Sequence, residues 1–268
     1  MSLEDLYRYL RWRMEPEDER AQLRFQRISE LFKSLEGVPE NGKILDLCAG
    51  TGIAGVAAAK ATNAELLTVL DARKEDLEKA KRWLEIAGIN PELRTVVGDV
   101  REASKLVGEH DIAILWGLTM PHFDPFDAVK IFANIALSLS REGAFVIEET
   151  DRVYGIFYKI GYKDFLVESK TEEYTLISVH GGYNLKRGTF KRAYYKLPGF
   201  EKITEEEHRL WDLASQLAIG SIFFGEWRLI TPAEHGIATV SYVLCFRKPR
   251  KNIAEEVLRG SKISAVCP

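Results

Sequence analysis

Apolar positions recur at helical spacing at the start of the chain. Leu3, Leu6, Tyr7 and Leu10 share one face and predict a helix over residues 3–14. Pro16 lacks an N–H and suits the first turn of a second helix. There Phe25, Ile28, Phe32 and Leu35 continue one stripe, which Gly37 and Pro39 stop. From residue 43 the pattern changes to short, continuously apolar runs. Strands are predicted at Lys43–Leu47, Leu66–Leu70, Arg94–Val97, Asp111–Leu115 and Ala144–Glu148. Helices are predicted through Lys60 after the first strand, over 74–87 with Leu77, Ala80, Leu84 and Ala87 inward and Gly88 as cap, and over Phe126–Leu139. Alternation of this kind, with strands apolar on both faces, predicts a parallel sheet covered by helices.

Past residue 150 the period shortens to two. Tyr174–His180 and Thr189–Tyr195 alternate apolar and polar positions around Gly181, Gly182 and Gly188, which predicts an antiparallel hairpin. Thr204 and Glu207 have the spacing of a capping box, predicting a helix with Leu210, Trp211, Ala214, Leu217 and Ala218. Residues 222–230 and 237–247 read as long strands joined by a tight turn at Glu234-His235-Gly236, and the tail from Pro249 as loosely held.

Composition narrows the class. With 268 residues the chain holds one large domain or two small ones, and 46% hydrophobic against 29% charged residues is ordinary for a globular fold. A net charge of −3 gives no general electrostatic pull on nucleic acid. No apolar run reaches the roughly 18–20 residues of a bilayer span. The first residues carry acids and no apolar core of a secretory signal, so a cytoplasmic location is expected. Cys48, Cys245 and Cys267 form neither a disulfide framework nor a zinc motif, and no metal site is expected.

The chemistry concentrates in KILDLCAGTGIAG, residues 43–55. A strand runs into Ala49-Gly50-Thr51-Gly52, then Gly55, then a helix, so that a ligand can lie against main-chain N–H groups. Asp71 stands 21 residues after Gly50 at the next strand's end, where a carboxylate can accept from both ribose hydroxyls of a nucleoside. Nicotinamide dinucleotides and S-adenosylmethionine both fit that geometry. Asp46 within the first strand would repel a dinucleotide's phosphates and suits an ammonium group. Asp99, after Gly98, can accept from an adenine amino group.

On these residues the sequence resembles the class I S-adenosylmethionine-dependent methyltransferases, over roughly residues 40–150 and 204–248. I-L-D-L-C-A-G-T-G matches that family's first motif, with Cys48 in place of its first glycine. The resemblance implies an α/β, Rossmann-like, doubly wound seven-stranded sheet of order 3-2-1-4-5-7-6, strand seven antiparallel. It carries a cofactor site onto Asp46, Ala49, Gly50, Thr51, Gly52, Asp71, Ala72, Asp99, Val100 and, at the end of strand four, Trp116. Where amine- and amide-methylating relatives have Asn/Asp-Pro-Pro-Tyr/Phe, this chain has Trp116-Gly117-Leu118-Thr119, which argues against nucleobase amines as acceptors. The whole chain reads as one methyltransferase domain: N-terminal helices to residue 40, a cofactor half over 41–150, a lid-like insertion over 151–203, a helix and hairpin over 204–248, and a tail.

A small-molecule acceptor is therefore expected. RNA or protein remains an alternative on account of Lys186, Arg187, Lys191 and Arg192 and the tail's Arg247, Lys248, Arg250 and Lys251. An NAD-dependent oxidoreductase and a non-catalytic cofactor-binding protein are further rivals. His122, Glu149 and Asp151, near the ends of strands four and five, are candidates to accept a proton from the acceptor. Tyr154 and Tyr158 are candidates to line its pocket, and Tyr7, Tyr9 and Trp12 to cover the cofactor. The sequence assigns no oligomeric state.

Overall fold

A computed structural model describes residues 3–10 and 14–260. Trp12 and Cys267 lie outside the described residues. The strands are β1 (Lys43–Leu47), β2 (Leu66–Asp71), β3 (Glu92–Val97), β4 (His110–Leu115), β5 (Leu139–Glu149), β6 (Phe165–Lys170), β7 (Thr175–Asn184), β8 (Thr189–Leu197), β9 (Glu201–His208), β10 (Phe224–Ile230) and β11 (Tyr242–Pro249).

Two sheets form. One has the order β10-β11-β5-β4-β1-β2-β3. Only β11 runs antiparallel to its neighbours, lying between β5 and β10. With its strands renumbered alone, this is the expected 3-2-1-4-5-7-6. The other sheet is antiparallel, in the order β6-β7-β8-β9, with the predicted hairpin at its centre. By contacts the chain divides into two compact units. The larger comprises Met14–Thr119, Asp127–Thr150 and the chain from Leu213; the smaller comprises the N-terminal helix, Met120–Phe126 and Asp151–Asp212. No described helix is long and apolar enough to cross a membrane.

In the larger unit the sheet is apolar on both sides, with Ile44, Leu45, Leu67, Val69, Ile112, Ile114 and Val146 all buried. Helix Ile53–Thr62 presents Ala54, Val56, Ala57, Ala58 and Ala59, small enough for a close approach to helix Glu19–Ser34 and its buried Phe25, Ile28 and Phe32. That second helix starts later than predicted. Asp18 is its N-cap, accepting from the Arg20 N–H, and Pro16 stands before it, its carbonyl accepting from Gln22. The predicted helix over 74–87 is broken into Lys74–Leu77 and Ala80–Ala87, yet its inward residues remain buried and Gly88 caps it at φ +66°.

The last third departs furthest from expectation. Thr204 and Glu207 do not cap a helix; they lie on β9, where pairing with β8 satisfies the backbone groups a cap would serve. The Thr204 hydroxyl bonds Glu206 instead, and the helix begins only at Leu213. Trp211 precedes it, its indole N–H donating to the carbonyls of Met120 and Phe123, each at 3.0 Å. The capping box sits at Thr231 and Glu234, with Pro232 in the first helical position. The β10–β11 connection is thus a loop with a helical turn, not a tight turn. The tail is also ordered as far as described: helix Lys251–Gly260 buries Ala254.

Candidate cofactor site and histidine cluster

The glycine-rich turn follows β1 directly. Cys48, Gly50 and Gly52 all have positive φ, at 52°, 53° and 82°. At Gly52 a Cβ would lie 2.8 Å from the Cβ of Ala80, so the turn needs glycine there both for its backbone and for its packing. The Ala49 N–H donates to Leu70 and its carbonyl accepts from Gly52, which ties the turn to the end of β2.

Each acid of the site holds a main-chain N–H. Asp46, 1% exposed, accepts from the Gly55 N–H at 2.8 Å, and burial pushes its carboxyl up to about 7. Asp71, at the end of β2, accepts from the Gly50 N–H at 2.8 Å through Oδ2. Its Oδ1 accepts from the Arg73 N–H at 2.9 Å and from Arg73 Nε at 3.2 Å. Ala72 beside it is exposed. Asp99 caps the turn that begins at the buried Val100 and is paired with Arg101, whose guanidinium holds its carboxyl below the usual range. Thr51 has its hydroxyl committed: it donates to the Met14 carbonyl at 2.9 Å and accepts from Trp83 Nε1 at 3.2 Å. Trp116 follows β4 directly. It is buried in the core 5.7 Å from the Phe32 ring, with the Arg24 guanidinium 6.0 Å from its own. Burial and the charges of Asp71 and Asp46 hold the Cys48 thiol well above its ordinary range.

The smaller unit carries a second constellation. His122 Nε2 lies 3.3 Å from the Tyr7 hydroxyl, and its ring centroid is 5.5 Å from that of His208. His208 Nε2 lies 2.9 Å from the Tyr194 hydroxyl. Burial first, then the charges of His122, Arg192 and Arg152, push His208 down to about 3, so it is neutral at physiological pH. The Arg209 N–H donates to the Pro121 carbonyl, which together with Trp211 fixes the end of β9 to the turn bearing His122. Sequence reasoning singled out His122 and missed His208, because the predicted helix dissolved the strand that carries it.

The other catalytic candidates fare differently. Glu149 is 0% exposed, and its Oε1 accepts from the Thr150 N–H at 2.8 Å. Asp151 is an N-cap, accepting from the Tyr154 N–H at 2.7 Å. Tyr154 and Tyr158 are exposed and stack on each other at 5.2 Å. Tyr9 packs edge-on against Tyr174. In the basic run Arg187 pairs with Asp124, Lys191 lies 3.7 Å from Glu207, Arg192 is buried against Ser178, and Lys186 is exposed. In the tail Lys248 pairs with Glu226, Lys251 with Glu109, and Arg250 donates to Ser221. Among the described residues no cluster of three or more His, Cys, Asp or Glu is placed to hold a metal.

Residues 44–143 match the family model of a methyltransferase domain. The sheet order around this stretch is that of the class I S-adenosylmethionine-dependent methyltransferase fold. Among solved structures, a protein of Pyrococcus horikoshii OT3 is 16% identical at a TM-score of 0.62, covering 93% of this chain and 100% of its own. An S-adenosylmethionine-dependent methyltransferase of Clostridium acetobutylicum is 14% identical at a TM-score of 0.59, covering 84% and 91%. CalS10, an amino pentose methyltransferase of Micromonospora echinaspora solved with S-adenosylmethionine bound, is 16% identical at 0.53, covering 91% and 95%. At these identities the likeness is one of fold. No curated protein sequence matches the chain.

Proposed function

We propose that this chain transfers the methyl group of S-adenosylmethionine to a small-molecule acceptor. One observation carries the choice of cofactor. The Gly55 N–H, in the first turn of the helix after the glycine turn, is the group a dinucleotide's pyrophosphate would use, and Asp46 already occupies it. A buried acid at the phosphate position favours a cationic sulfonium nucleoside over a nicotinamide dinucleotide. Asp71, beside the Gly50 N–H, is the ribose acid in this reading. Asp99 and Val100 receive the adenine, and the main chain of Ala49, Gly50, Thr51 and Gly52, with Ala72 at the rim, shapes the pocket.

S-Adenosylmethionine supplies an already activated methyl group. The protein therefore has to orient the acceptor, exclude water and receive any proton the acceptor brings; reacting atoms need an approach of about 3–3.5 Å. His122 takes the proton in this reading, because an imidazole suits a hydroxyl or ammonium acceptor near neutral pH. Tyr7 and His208 orient its ring. The pairing of Arg187, Lys191, Lys248 and Lys251 with acids supports a small acceptor over RNA, and the amino pentose activity of CalS10 makes amino sugars the first acceptors to try.

The test offers S-adenosylmethionine carrying a labelled methyl to three acceptor pools: small metabolites including amino sugars, RNA, and protein. Label should enter the metabolite pool. Label confined to RNA or protein overturns the acceptor class. Failure of S-adenosylhomocysteine to bind in calorimetry overturns the cofactor.

A further inference from the structure

The ribose acid of this site is not idle. Asp71 offers about four lone-pair positions. The Gly50 N–H takes one on Oδ2; the Arg73 N–H and Arg73 Nε take two on Oδ1. A vicinal diol needs two acceptor positions, and one remains. The backbone contacts belong to the fold of the turn, so the competing donor is the Arg73 side chain. Its guanidinium also reaches over the glycine turn, Nη2 lying 3.4 Å from where a Cβ of Gly50 would stand.

The same guanidinium has a second partner. Arg73 Nη1 lies 2.6 Å from Oδ2 of Asp76, a buried acid on helix Lys74–Leu77. The contact to Asp71 is the longer of the two, at 3.2 Å. Lys79 Nζ lies 3.8 Å from Asp76 Oδ1. Arg73 is thus forked between two carboxylates, one a ribose ligand and one not.

We propose that Arg73 is a movable occupant of the ribose subsite, which screens Asp71 while the subsite is empty and withdraws onto Asp76 when a vicinal diol binds. The inference rests on Asp71 being the ribose acid. It gives Asp76 a role no motif suggests: a docking point that keeps the displaced guanidinium paired. It also makes the diol, not the adenine or the amino-acid end, the part of the ligand that Arg73 senses.

Calorimetry of the full chain with S-adenosylhomocysteine and its 2′,3′-dideoxy analogue tests this. Arg73→Met should tighten S-adenosylhomocysteine binding by about two- to fivefold, because the diol no longer displaces the contact at 3.2 Å. Asp76→Asn should weaken it, because Arg73 then stays on Asp71. The dideoxy analogue should bind all variants alike. The double variant R73M/D76N removes both members of the Arg73–Asp76 pair together and should keep the tighter binding even if a single variant folds poorly. Weaker or unchanged binding by R73M and by the double variant makes Arg73 a fixed support of Asp71 or a bystander, and overturns the proposal. Equal shifts for the diol and dideoxy ligands overturn it too. If wild type binds neither ligand, the cofactor assignment fails instead.

Discussion

The two units hold their functional groups by different means. In the larger unit every candidate acid is fixed by a main-chain N–H close by in the chain or at a neighbouring strand end: Asp46 by Gly55, Asp71 by Gly50, Asp99 by Arg101. In the smaller unit the groups are fixed by side chains remote in sequence: Tyr7 with His122, Tyr194 with His208, Trp211 with the carbonyls of Met120 and Phe123. A site built on backbone geometry tolerates little change of residue type and leaves a spaced motif. A site built on side-chain convergence leaves none.

Four substitutions press on that contrast. His122→Ala should have the largest effect, lowering methyl transfer to the acceptor found by labelling about 10²- to 10⁴-fold. It should leave S-adenosylhomocysteine affinity unchanged, which calorimetry reads. Gly52→Ala does the opposite in kind: its Cβ meets Ala80 at 2.8 Å in a left-handed backbone. About 2–4 kcal/mol of stability should be lost in urea denaturation, along with cofactor binding. Asp71→Ala removes a charged acceptor from the ribose subsite and should weaken S-adenosylhomocysteine by about tenfold or more. Equal affinity would move the ribose assignment elsewhere.

The smallest effect is on pH dependence. His208 is held near 3 in the folded protein against 6.5 ordinarily, so between these values the unfolded chain binds more protons. Stability is fully present above about pH 6.5 and declines as pH falls toward 3. His208→Gln should flatten that decline in denaturation curves taken at pH 7 and pH 5; an unchanged slope would place the acid sensitivity in other groups.

How much could be read in advance follows the same line. The apolar runs of β1, β2, β4 and β5 and the glycine turn were legible because burial on both faces and positive φ each restrict residue choice. Thr204 misled because a Ser/Thr-x-x-Glu spacing says nothing about pairing: β8 supplies partners for the backbone of β9 that a helix would otherwise need. Pro16 misled by one turn because the carboxylate of Asp18 caps better than a missing N–H initiates. Trp116 sits at the predicted end of β4, but the side toward which its ring turns was set by Phe32 and Arg24 of another helix.

The sequence by itself determined the parallel sheet, the strand-turn-helix with its glycines, and the acids at the strand ends, since each depends on neighbours within one βα unit. Only the tertiary structure decided the surroundings of the other candidates. Burial took Glu149 out of solvent, Asp151 became an N-cap, and β9 carries His208 beside His122. Those outcomes depend on desolvation and on partners contributed from far along the chain, and no local pattern of residues encodes either.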